Sequence, residues 1–145
     1  MKGKNKLNEF FEGLKETYKK EVKSRKDRID SSVLKAIPYT EKKKVEITYT
    51  TNEFTCLCPW TGLPDFGKLT ITYLPSNKVI ELKSLKFYLL SFRNVGIINE
   101  HAVARILEDL STLVNPEWME VRIEFTPRGG IQTIASARYP EKKCK

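Results

Sequence analysis

No stretch of this 145-residue chain approaches the roughly 18 consecutive apolar side chains that span a bilayer, so a membrane-spanning helix is excluded. The Lys-rich start has neither the apolar middle nor the small-residue cleavage site of a secretion signal, and export is not expected. Cysteine is scarce as well. Three thiols cannot all pair within one chain, and Cys56 and Cys58 with a distant Cys144 make a poor disulfide framework. That points to a reducing, cytoplasmic home. His101 is the only histidine. Cys56 and Cys58 offer a metal at most two ligands on one strand face, so no metal centre is expected. A Ser-His-Asp triad would have to take His101 from the first turn of a helix, where a solvated role suits it better. Neither Gly-x-Gly-x-x-Gly nor Gly-x-x-x-x-Gly-Lys-Ser/Thr occurs, which excludes a Rossmann or P-loop nucleotide cradle.

What remains is one globular domain's length of chain, 40% apolar, with a net charge of +8. The placement of that charge matters more than its total. Residues 1–44 hold 14 basic and 7 acidic side chains, and the remainder hold 12 and 11. The body is nearly neutral, so direct nucleic-acid binding is not expected of it. The basic leader reads as a solvated amphipathic helix, with a nucleic-acid or partner role as the alternative.

Apolar residues from Leu7 to Ile29 recur at steps of three and four, predicting a surface helix. Pro38 marks a break, which suggests a helical leader over residues 1–36 and a folded domain over 37–145. Val45, Ile47 and Tyr49 alternate with polar neighbours as a half-buried strand does, and so do Leu69, Ile71 and Tyr73. Between them, Asn52 to Lys68 contains Pro59, Gly62, Pro64 and Gly67 and reads as an ordered loop. Two helical patterns follow, from Leu82 to Phe92 and from Asn99 to Asn115, the second stopped by Asn115-Pro116. Trp118 to Thr126 alternates strictly, and Pro127-Arg128-Gly129-Gly130 turns the chain into a last strand, Ile131 to Tyr139. The order is β-β-α-α-β-β, an α+β fold with two helices on one face of an antiparallel sheet. The other face then has no layer of its own, and joining subunits into a barrel would cover it and remove open strand edges.

Chemistry concentrates at two places. Cys58 and Asp65 flank Pro59, Gly62 and Pro64, so a restricted bend could turn both side chains into one cleft. There the thiolate would serve as nucleophile and Asp65, if burial raises its pKa, as proton donor. The plainer account is that Cys56 and Cys58 are both small buried apolar residues. The second place is Glu81-Leu82-Lys83-Ser84-Leu85-Lys86-Phe87-Tyr88, opening a helix. Lys83 and Lys86 lie on one face near its positive end, which suits phosphate, or else they form an ordinary solvated face. Arg128 could add a phosphate ligand or be only a turn residue.

The run Phe54 to Phe66, the motif from Glu81 to Tyr88, Ser-Phe-Arg-Asn from Ser91 to Asn94 and Phe-Thr-Pro-Arg-Gly-Gly from Phe125 resemble the QueF nitrile reductases, over roughly Ile37 to Tyr139. These are NADPH-dependent 7-cyano-7-deazaguanine reductases of queuosine biosynthesis, and the resemblance is to their short, single-domain form. It implies the tunnelling fold, with barrels formed across subunits and a homodecamer of stacked rings. It also implies Cys58 as the thiolate that adds to the nitrile carbon and Asp65 as the acid that protonates nitrogen. Glu81 and Glu100 would grip the deazaguanine edge, Ile80 and Leu82 would line its pocket, and Lys83, Lys86 and Arg128 would meet the NADPH phosphates. Some relatives carry histidine just before the second glutamate; here that position is Asn99, which can hydrogen-bond substrate but cannot act as acid or base at neutral pH. Two rivals stand beside this reading. One is an amidine-forming relative acting on the nitrile base within tRNA, and the other a non-catalytic RNA-binding or assembly module using the leader.

Overall fold

Burial with a period of two runs through the strands that alternation marked. The structure, a computed structural model, describes residues 6, 8–16 and 28–141, so the middle of the leader and Cys144 lie outside the described residues. Residues 8–16 of the leader are helical. After them come β1 (Ala36–Pro38), β2 (Ile47–Leu57), β3 (Pro64–Leu74), β4 (Lys78–Ile80), α1 (Leu82–Leu90), α2 (Asn99–Val114), β5 (Trp118–Phe125) and β6 (Ile134–Tyr139). Strands β2, β3, β5 and β6 form one antiparallel sheet in that order.

In β5, Met119, Val121, Ile123 and Phe125 are buried while Glu120, Arg122 and Glu124 stay partly exposed. Leu69, Ile71 and Tyr73 of β3 face the same core, where Leu85 and Tyr88 of α1 meet Ile106, Leu110 and Val114 of α2. Both helices therefore cover one face, as expected from the two helical patterns. The opposite face shows Thr48, Thr50, Thr70, Thr72, Glu120 and Arg122, all partly or fully exposed. A left-handed Asn115, φ 43°, ends α2 ahead of Pro116.

Four details differ from the sequence reading. The first is a second, two-stranded sheet of β1 and β4, with Ala36 opposite Ile80; strands of three residues are too short to show a period. Next, the leader helix does not extend to Ile29, which instead packs into the core with Leu34. The last strand starts at Ile134, because Arg128 and Ile131 exchange both backbone hydrogen bonds at 2.9 Å and use the preceding residues as a turn.

The fourth matters most for the site. Of the stretch Asn52 to Lys68 read as a loop, residues 52–57 and 64–68 are strand, because β3 starts at Pro64 and β2 runs on to Leu57 through a bulge between Thr51 and Phe54. Thr51 pairs with Leu69 but Phe54 with Gly67, so β2 gains one residue on β3. One extra residue reverses the side-chain parity. Odd positions Ile47 and Tyr49 face the core before the bulge; even positions Phe54, Cys56 and Cys58 are the buried ones after it. Gly67 makes the close approach possible, since a Cβ there would stand 2.8 Å from Ile123 Cγ2 on β5.

Candidate active site

The hairpin between β2 and β3 is closed by only six residues. Cys58 donates its N–H to Leu63 O at 2.9 Å and accepts from Gly62 N–H at 2.8 Å, with Gly62 at φ 70°. This tight bend curls the Trp60 and Thr61 N–H groups, with the Thr61 hydroxyl, toward the Cys58 sulfur. Burial pushes the Cys58 thiol up, yet those donors together with the Arg128 guanidinium outweigh it and bring the pKa down to about 7 from 9.0. About half of such a thiol is ionised at neutral pH, against roughly one part in a hundred at 9.0. Two residues earlier, Cys56 is fully buried, and burial drives its thiol up to about 12, the nearby Arg128 charge offsetting only part of this. Its sulfur lies 4.0 Å from Ile97 O. The loop donors therefore favour the thiolate at Cys58, and burial disfavours it at Cys56.

Asp65 stands directly across from Cys56 in the β2–β3 register, on the inward face of β3, and is 6% exposed. Its carboxylate is paired with the guanidinium of Arg128. Cys58, Asp65 and Arg128 therefore form one cluster, drawn from a loop, a strand start and the turn between β5 and β6. Sequence reading linked the first two. It placed Arg128 elsewhere, and it missed Thr61, whose only signal was a hydroxyl inside the Pro-Trp-Thr-Gly bend.

The start of α1 is organised separately. Glu81 is its N-cap, accepting from Lys83 N at 2.9 Å and Ser84 N at 2.7 Å, and these N–H groups hold its carboxyl below the ordinary 4.5. Ile80 is buried, with its N–H given to Tyr73 Oη at 3.0 Å and its carbonyl accepting from Tyr49 Oη at 3.4 Å. Leu82, Lys83 and Lys86 are exposed. Leu82 and Lys86 border an apolar groove of about 630 Å³ between β2 and α1, whose rim also carries Glu53 and Arg93. Among the described residues, neither lysine makes a salt bridge, and no hydrogen bond or ion pair joins this group to Cys58.

The start of α2 comes closer. Leu57 donates to Val95 O at 2.9 Å and accepts from Ile97 N–H at 3.0 Å, fastening the segment before α2 to the residue preceding Cys58. Asn99 and Glu100 follow within the first turn. Among the described residues, Asn99 Oδ1 is the one buried side-chain N or O atom left without a hydrogen-bond partner. A buried acceptor in that condition costs free energy until a donor arrives. Glu100 and His101 are exposed beside it. The described residues contain no cluster of three or more side chains able to hold a metal ion.

Comparison with known proteins bears on this arrangement. A crystal structure of an archaeosine synthase QueF-Like in the apo form superposes with a TM-score of 0.59 over 68% of this chain and 95% of that one; at 20% identity it bears on the fold alone. Two curated relatives are called NADPH-dependent 7-cyano-7-deazaguanine reductase. The one from Caldicellulosiruptor bescii is 58% identical over 114 residues, 78% of this chain and 87% of its own. That from Thermoanaerobacter pseudethanolicus is 54% identical over 118 residues, 81% and 89% respectively. A family model described as QueF-like protein matches residues 64–144, from the start of β3 onward. Matches of this length and identity, on a fold that gathers Cys58, Asp65 and Arg128 at one hairpin, place the chain in the QueF-like family.

Proposed function

We propose that this chain catalyses the NADPH-dependent reduction of the nitrile of 7-cyano-7-deazaguanine to the aminomethyl group, the step that serves queuosine synthesis. Its relatives carry that activity in their names. The observation that carries the reading on this chain's own residues is Cys58 in the closed β2–β3 loop, its thiol brought down to about 7 by the donors of that loop, two residues past the Cys56 that faces Asp65.

The Cys58 thiolate adds to the electrophilic nitrile carbon, forming a C–S bond as one C–N π bond breaks. Asp65 delivers the thiol's displaced proton to the nitrogen, so the net change is addition of S–H across the triple bond to give a thioimide. Asn99 Oδ1 and the Glu100 carboxylate accept N–H bonds from the deazaguanine edge, and Glu81 contributes the acceptor capacity that its capping bonds leave free. Ile80 backs that pocket from the core and Leu82 borders it.

Lys83 and Lys86 fit NADPH, since both ammonium groups are exposed one turn apart and free of salt bridges among the described residues. Glu81 already satisfies two of the helix's first N–H groups, so the lysine side chains, not the helix end, would hold the phosphates. When bound, NADPH supplies hydride, two equivalents with two protons converting nitrile to amine. Cys58 would leave as a thiolate between the two reductions, the C–S electron pair returning to sulfur as the nitrogen lone pair forms the imine that takes the second hydride, and the same donors that favour its attack favour its release.

The unconnected α1 group and the uncovered sheet face support a site completed by a neighbouring subunit in a ring-stacked homo-oligomer, the decamer that the resemblance implies. The test is a coupled assay with the free nitrile base. Two NADPH are expected to be oxidised per nitrile consumed; Cys58→Ala should abolish turnover and Cys56→Ala should retain it. No NADPH oxidation, with modification of nitrile-bearing tRNA instead, would replace this reading with the amidine-forming one.

A further inference from the structure

Ile80, the last residue of β4, turns its polar backbone groups away from its strand partner. In an antiparallel pair every second residue exchanges ladder bonds with the opposite strand. Flanking β4, those are Asn77, whose carbonyl accepts from Tyr39 N–H at 2.8 Å, and Glu81, which donates to Lys35 O at 2.9 Å. Ile80 stands opposite Ala36, out of that phase, so its N–H and carbonyl point away from β1. The residue is 2% exposed, which shuts out water, and a buried amide without a partner costs free energy.

Two tyrosines of the main sheet take the place of a second strand. Tyr73 of β3 is fully buried, and its hydroxyl accepts from Ile80 N–H at 3.0 Å. Tyr49 of β2 donates to Ile80 O at 3.4 Å, and the two hydroxyls lie 3.4 Å apart. With the Tyr49 proton committed to the carbonyl, the Tyr73 proton falls to Tyr49, and the groups close a ring in which each hydroxyl donates once and accepts once. The β2–β3 register sets Tyr49 opposite Ile71 and Tyr73 opposite Ile47, diagonal neighbours with ring centroids 6.0 Å apart.

From this ring we infer that Tyr73, with Tyr49 behind it, is a positioning residue for the substrate grip: it ties β4 to the main sheet at Ile80 and so fixes where Glu81 presents its carboxylate. The inference rests on the reaction proposed above, in which Glu81 meets the deazaguanine edge and Ile80 backs its pocket. Glu81 is also held by β1 through Lys35 O and by α1 through the N–H groups of Lys83 and Ser84. Those two elements are joined to each other, Lys35 N–H donating to Ser84 Oγ at 2.9 Å. The tyrosine hydroxyls set that unit in register with the sheet that carries Asp65.

The experiment measures NADPH oxidation against the concentration of free nitrile base, with backbone amide exchange in parallel, in the wild type, Tyr73→Phe and Tyr49→Phe. Phenylalanine keeps each ring and removes its hydroxyl. A misplaced Glu81 loses a hydrogen bond to a charged group, so in Tyr73→Phe the KM for the base should rise about tenfold or more with kcat within about twofold, the pattern of lost uniform binding. Tyr49→Phe removes the two longer bonds and leaves the 3.0 Å one, so it should move KM the same way by less. The Ile80 amide should exchange about tenfold faster in Tyr73→Phe, beyond any change at Val121 and Ile123 of β5. A fall in kcat with the KM for the base unchanged, the mark of a smaller folded fraction, overturns the inference. So does a faster Ile80 amide with KM unchanged, which leaves the hydroxyls a structural tie alone, and so does an Ile80 amide unchanged in both variants. Wild-type protein that never oxidises NADPH with the base removes the nitrile-reductase reading and the positioning role together, a failure seen before any variant is compared.

Discussion

Two thiols separated by one residue should differ in reactivity by orders of magnitude, and the size of the gap follows from where the bulge places them. Cys58, brought down to about 7, is roughly three-quarters ionised at pH 7.5; Cys56, pushed up to about 12, is ionised in only a few parts per hundred thousand. The ratio of thiolates is therefore about 10⁴. A more basic thiolate is intrinsically the better nucleophile, and over five pKa units this returns roughly two powers of ten to Cys56. Cys58 is left about a hundredfold faster, before the complete burial of Cys56 adds steric exclusion. The perturbation is iodoacetamide at pH 7.5 under native conditions, and the readout is the labelling rate of each cysteine by peptide mapping. The Cys58 rate should climb through pH 7 and flatten above about pH 8. Labelling of Cys56 within tenfold of Cys58, in protein shown to be folded, would refute the argument that the hairpin loop activates one sulfur selectively.

Other expectations concern the frame. Gly67→Ala places a methyl against Ile123 Cγ2 and 3.1 Å from Glu124 O, so it should cost about 1–3 kcal/mol in denaturant unfolding unless β3 shifts, and a shift should also slow Cys58. Tyr88 is fully buried and donates to Asp109 Oδ2 at 2.7 Å, the same oxygen that Arg105 Nε reaches at 2.7 Å. Tyr88→Phe should therefore lose roughly 1.5–3 kcal/mol, the range for a bond to a charged group, whereas stability unchanged within error would mean the hydroxyl contributes nothing net. Glu81 is held below 4.5 in the fold, so its capping bonds contribute stability that is complete above that pH and lost as pH falls through the lowered value. Glu81→Gln should flatten that acid limb of the stability curve while largely preserving α1 by circular dichroism; an unchanged limb would remove Glu81 as the group responsible.

The strands and helices with repeated periods were open to reading. Val121 and Ile123 on β5, or Ile106 and Leu110 on α2, declare their buried face through spacing alone, and that spacing placed both helices over one sheet face. The bulge was not readable, because Thr51, Asn52 and Glu53 look like any polar interruption and the parity change depends on how β3 pairs with them. Missing it, with the early start of β3 at Pro64, turned eleven residues of strand, 52–57 and 64–68, into loop. Cys58 and Asp65 were nonetheless brought together on paper, since the prolines and Gly62 between them restrict the bend. Arg128 could not be joined to them, being more than sixty residues away and arriving only through the order β3-β5-β6. Glu81 shows a different limit. Its position ahead of Lys83 and Ser84 is an N-cap signal in its own right, and a carboxylate there has structural work whatever it does for a ligand.

The most direct measurement is intact mass of the protein incubated with 7-cyano-7-deazaguanine and no NADPH. A single adduct equal in mass to the whole nitrile base, mapped to Cys58, absent from Cys58→Ala and discharged when NADPH is added, is the expected result. Unmodified protein under conditions where the same preparation turns over with NADPH, or full turnover by Cys58→Ala, would contradict the claim that this sulfur captures the nitrile carbon.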